Sequence, residues 1–126
     1  CFELYKTGLL LDTLARSLIE MGCQRSEIVA DSASPQMIAE LRARGIYNIR
    51  PSKKGAGSIE AGIKRLQDFE IIINESCPNT IIEFSNYAWK KDESGNQQPK
   101  PIDEYNHAID AMRYATEGVS ERIFSW

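Results

Sequence analysis

Strand-like runs of a few residues alternate with helical runs along this chain, and that alternation restricts the fold more than any other feature. GLLLDTLARSLIEMG carries apolar residues at 10, 11, 14, 18 and 21, the spacing of one helix face, with Thr7 as its expected N-cap and Gly22 as its stop. EIVAD follows as a short strand ending at Asp31. SPQMIAELRARG is then a helix capped by Ser34, with Pro35 at its first position and Gly45 at its end. IYNIR reads as a second strand, PSKKGAG as a flexible basic loop, SIEAGIKRLQDF as a helix capped by Ser58, and EIIIN as a third strand. CPNTIIEFSNYA is a helix beginning near Pro78, and WKKDESGNQQPKPI suits a β-hairpin around an SGN turn. The last helix is expected from about Glu104 to Glu117, stopped by Gly118. The opening CFELY reads as the end of a strand, and the tail VSERIFSW has no firm pattern. This order predicts the α/β class.

The 126 residues are one domain's worth, and with 42% hydrophobic and 26% charged residues they suit a packed core rather than disorder. No apolar run approaches the roughly 20 residues needed to span a bilayer, and no secretory signal is visible. Cys1, Cys23 and Cys77 lack metal-ligand spacing and read as reduced thiols. Net charge is −3, which argues against a generic nucleic-acid binder. The charge is uneven, however. Between Leu41 and Arg65 seven basic residues face one acidic residue, so that segment is +6 and the remainder −9. A basic stripe beside an acidic region suits a metal-dependent enzyme acting on a polyanion, although the charge pattern alone favours a solvated helix face with scattered lysines. Phosphate-binding GxxxxGK[ST] and GxGxxG signatures are missing; the GAGS at 55–58 supplies backbone freedom before a helix.

The candidates for chemistry gather in DEYNHAIDAMRYATEG. Asp103, His107 (the single histidine) and Asp110 fall at i, i+4 and i+7, which share a helix face, while Ala108, Ala111, Met112 and Ala115 are available for packing. Carboxylates and an imidazole are ligands for a divalent cation, and carboxylate favours magnesium or manganese. A further carboxylate must come from elsewhere. Asp31, at the carboxyl end of a strand where α/β folds gather ligands, is the best candidate. Phosphodiester hydrolysis uses two such cations about 4 Å apart, bridged by carboxylates. Each residue also has a structural reading: Asp103 as an N-cap, Asp31 as an Asx-turn, His107 as a satisfied core or surface histidine, Asp110 as a solvated group, Lys53 and Lys54 as a solvated loop, and Glu83, Tyr87 and Trp89 as packing or surface groups.

VADSASPQMIAELRARG, KKGAGSIEAGIKRL, EFSNYAWKKD and DEYNHAIDAMRYA, in that order and spacing, resemble the nuclease domain of the large terminase subunit of tailed bacteriophages. HAIDAMRY is the most specific piece and DSASP the next. The resemblance implies a ribonuclease H-like fold, a mixed sheet flanked by helices. It implies two-metal endonucleolytic cleavage of concatemeric double-stranded DNA during packaging, with Mg2+ or Mn2+. By motif position Asp31 and Asp110 would be metal ligands, and His107 either a ligand or an acid/base. Lys53 and Lys54 would contact DNA phosphates. The portal and the small terminase subunit would be partners, in the cytoplasm of a bacterial host, with no membrane involved. The whole chain, 1–126, is then expected to be a single nuclease-type domain without the ATPase motor. The strand bearing the family's first catalytic aspartate is expected to lie upstream of Cys1, which predicts a weak or inactive nuclease. Alternatives are another ribonuclease H-like nuclease such as a Holliday-junction resolvase, a non-catalytic DNA- or portal-binding module, or an inactive prophage remnant.

Overall fold

The computed structural model describes residues 3–119, which group into two units: 6–55, and the segments 3–5 and 56–119 together. In the first unit, α1 (Leu11–Glu20), β1 (Ile28–Ala30), α2 (Pro35–Ala43) and β2 (Ile49–Pro51) follow in order. β1 and β2 pair in parallel, Ile28 opposite Ile49 and Ala30 opposite Pro51, with α2 as the connection such a pair requires. The helical period turns Leu11, Leu14, Ala15 and Leu18 of α1 towards Ile38 and Leu41 of α2, with Ile46 and Ile49 completing the core. Leu10 and Met21, the outer members of the expected stripe, are exposed. The Arg42 guanidinium donates to the Ile49 carbonyl from both Nε and Nη2, at 3.0 and 2.6 Å, which ties α2 to β2. Gly45 ends the helical segment at φ 98°, a conformation that a side chain would strain.

The second unit holds α3 (Ser58–Gln67), α4 (Pro78–Asn86), β3 (Trp89–Lys91), β4 (Gln97–Pro101) and α5 (His107–Ala115). β3 and β4 form the expected antiparallel hairpin, with Trp89 opposite Pro101. Its turn is held by the Asp92 carboxylate, which accepts the amides of Ser94 and Asn96. α5 packs on both α3 and α4. Its inward face is Ile109 and Arg113, both buried, whereas Ala111 and Ala115 are exposed, contrary to the expected alanine face. α3 comes close at Gly62, where a Cβ would stand 2.8 Å from the Arg113 Cδ.

Helix starts differ most from expectation. α1 begins after Leu10, not Thr7; α3 after Gly57, not Ser58; α5 after Asn106, so that Asp103 lies outside the helix. Ser34 does precede Pro35 at the start of α2, but its side chain makes no capping bond. In none of the five helices among the described residues does the N-cap side chain make a capping bond. Two helices are capped instead by carboxylates distant in sequence. Glu3 accepts from the Asn79 and Thr80 amides and side chains at the start of α4, and Glu83 of α4 caps α5. The expected strand EIIIN is irregular, with Ile72 exposed, because the described strands pair only as β1–β2 and β3–β4 and leave it no ladder. Residues 3–5 are likewise not in a strand. Cys1 and the tail from Ser120 lie outside the described residues; Cys23 and Cys77 are free thiols, as expected.

Three outcomes follow from this packing. Ile46 is fully buried, so Ile46→Ala should cost about 2–5 kcal/mol, read by urea denaturation. At Gly62 an alanine gains about 1 kcal/mol of helix propensity but forces Arg113, whose far end is fixed by Asp110, at a cost of about 1–3 kcal/mol. Gly62→Ala should therefore lower the Tm. Desolvation raises the Glu3 pKa, but the bonds from Thr80 and Asn79 outweigh it and bring the carboxyl from 4.5 down to about 2. A depressed folded pKa gives stability that is present above 4.5 and lost as the pH falls towards 2. The Tm of the wild-type chain should drop across that window, and that of Glu3→Gln should drop less.

Candidate functional site

Asp31 is the first residue after β1, exposed on the loop leading to α2. Its Oδ1 accepts the Ala33 amide at 2.9 Å, an Asx-turn, and the Lys54 ammonium at 2.7 Å. Hydrogen bonding to Lys54 first, then to Ala33, holds its carboxyl below the usual range. Lys54 is thereby placed on Asp31, not in an open loop; its neighbour Lys53 is exposed. Ser52 continues the ladder past β2, its amide donating to the Ala30 carbonyl at 2.7 Å, next to Asp31 in the chain. Its buried hydroxyl has no hydrogen-bond partner among the described residues. Such an orphan costs about 1–3 kcal/mol and calls for a ligand or water.

In the second unit α5 carries His107 at its first position and Asp110 three residues on, so the expected shared face is present for these two. Asp103 is not part of it; it accepts a bond from the Asn106 side chain in the preceding turn. His107 is exposed, and its ring meets that of Tyr5 edge-on at 6.2 Å between centroids. Asp110 is held through Oδ1 by Arg113, at 2.8 Å from Nη2 and 3.3 Å from Nε. Arg113 is buried and stacks over the Tyr114 ring at 5.3 Å, and its own carbonyl accepts from Arg65 at 2.8 Å. Tyr87 lies in the same environment: burial, then the negative charge of Asp110, pushes its phenol above the usual value.

Two residues of this site escape a reading of the sequence for chemistry. Glu83, expected to be a packing or surface group, is 3% exposed and accepts three amides of α5. Arg113 is its basic counterpart on α5. Sequence pattern gives little signal here, since the isoleucines of α4, Ile81 and Ile82, are exposed and the glutamate between them and Phe84 is the buried one. Among the described residues no three His, Cys, Asp or Glu side chains come together as a metal-binding group. Each of Asp31 and Asp110, taken by itself within its own unit, offers carboxylate oxygen, the donor type that a hard divalent cation takes.

Comparison with known proteins places the chain. A family model described as "Terminase RNAseH like domain" matches residues 2–118. The large terminase subunit of Bacillus phage SPP1 is 37% identical over 97 residues, covering 75% of this chain and 23% of that relative. This chain thus spans about a quarter of the curated relative's length. The crystal structure of the SPP1 large terminase nuclease domain with bound Mn is 34% identical and matches with a TM-score of 0.84, over 90% of this chain and 66% of that one. The large terminase of a thermophilic bacteriophage shares the fold, with a TM-score of 0.59 at 23% identity over 86% of this chain and 29% of that one. The α/β class and the ribonuclease H-like resemblance expected from the sequence agree with these matches, and the chain belongs to the terminase RNase H-like domain family.

Proposed function

We propose that this chain is the nuclease part of a phage DNA-packaging terminase, cleaving concatemeric double-stranded DNA by phosphodiester hydrolysis. The observation that carries this reading is the 34% identity to a nuclease domain solved with bound Mn, together with the α5 face that holds His107 and Asp110. Asp31 and Asp110 are the proposed ligands of Mg2+ or Mn2+. When bound, such a pair of metals supplies an activated water and charge neutralisation at the leaving oxygen. The chain's own residues do the rest. Arg113 orients Asp110, and the Asx-turn at Ala33 orients Asp31. Lys54 neutralises Asp31 and is the group that an arriving cation would displace. The exposed His107 imidazole can hold or pass a proton at Nδ1 or Nε2, or serve as a ligand. Lys53 and Lys54 are the proposed contacts to DNA phosphates, a reading supported by the basic composition of their loop. The two units are read as parts of one nuclease-type domain, with the ATPase motor elsewhere in the full terminase. The portal and the small terminase subunit are the proposed partners, in the cytoplasm of a bacterial host. No helix among the described residues is long and apolar enough to cross a membrane.

Supercoiled plasmid with Mn2+ gives the direct test. The wild-type chain should nick it slowly, and Asp31→Ala and Asp110→Ala should each fall to background. Equal cutting by all three proteins would remove both aspartates from the site.

A further inference from the structure

We propose that Glu83 is a positioning residue for the α5 site: its buried carboxylate sets the place of the helix turn that carries His107 and Asp110. This rests on the reading of those two residues given above. Glu83 lies on α4, yet its Oε1 accepts the His107 amide at 2.7 Å, and its Oε2 accepts the amides of Ala108 at 2.5 Å and Ile109 at 3.2 Å. Three of the four amides that a helix start leaves unsatisfied thus end on one carboxylate, at the positive end of the helix dipole. The local side chains leave these three amides uncapped; the Asn106 side chain bonds Asp103 instead. The Asn106 side chain makes no capping bond, and Tyr105 just before it sits at φ 54°, a left-handed conformation uncommon for a bulky residue. Strained backbone of this kind persists where its surroundings fix it, and the three amides that follow it end on Glu83. Because the carboxylate is 3% exposed, it cannot leave the three amides for water without undocking α4 from α5. His107 is itself one of the three residues bonded, and Asp110 follows one residue after the last of them. A shift of the turn therefore moves both groups together. A carboxylate that merely stabilised the fold would leave the ligand geometry of the folded chain unchanged.

The test is Mn2+ affinity of the 126-residue chain, measured from the free Mn2+ signal in electron paramagnetic resonance at a temperature where circular dichroism shows each variant folded. Glu83→Gln keeps the side-chain volume but presents an amide donor to a backbone donor. Glu83→Asp keeps the charge but falls short by a methylene. Folded Glu83→Gln, or Glu83→Asp should the first not fold, is expected to bind Mn2+ about 10- to 100-fold more weakly, as when a supporting hydrogen bond to a metal ligand is lost. Wild-type affinity in a folded Glu83 variant would overturn the proposal and leave Glu83 a purely structural cap. Asp110→Ala, measured alongside, tests the underlying reading. If it binds Mn2+ as the wild type does, the metal-site assignment fails and the positioning role falls with it, whatever the Glu83 variants do.

Discussion

The Glu83 carboxylate is buried, charged and met by the first amides of α5. Removing a carboxylate from water costs several kcal/mol, and charge-assisted hydrogen bonds of about 1.5–3 kcal/mol each are what offset it. The interaction is therefore conditional: it exists only while α4 and α5 are docked in one register. Arg113 follows the same logic from the other side of α5, buried against Gly62 of α3 and discharged onto Asp110. One helix is thus fixed at its start by a carboxylate and along its body by a guanidinium.

The two proposed metal carboxylates are held very differently. Asp110 is gripped by a buried arginine whose stem runs beside Gly62 of α3. Asp31 is exposed, on a loop, paired with a lysine that is itself half-exposed. A lysine is a compact charge on a flexible stem, whereas an arginine fork fixes direction as well as charge. Asp110 is held by a forked guanidinium, and Asp31 by one backbone amide and one ammonium.

The helices and the hairpin are legible in the sequence because their signals are local: Pro35 and Pro78 at helix starts, Gly22, Gly45 and Gly118 past helix ends, SGN in the turn. Asp31 at the end of β1 and the His107–Asp110 face are legible for the same reason. The caps are not. Thr7, Ser58 and Asp103 are good capping residues by type, but the groups that cap α4 and α5 come from 76 and 24 residues away. EIIIN fails as a strand in the opposite sense: its pattern is right, but a strand exists only with a neighbour, which sequence periodicity does not supply. The apolar face of α5 eludes pattern reading because Arg113 occupies a position where an aliphatic residue is expected.

Helix ends ordinarily loosen on their own, one turn at a time, whatever the rest of a domain is doing. The Asn79 and Thr80 amides in the first turn of α4 are held by Glu3, and those that begin α5 are held from α4. The first turn of α5 has no independent opening. Its amide protons should exchange with solvent only in the larger event that separates the two helices, so the proposed site inherits the kinetic persistence of the core and not that of a surface helix end.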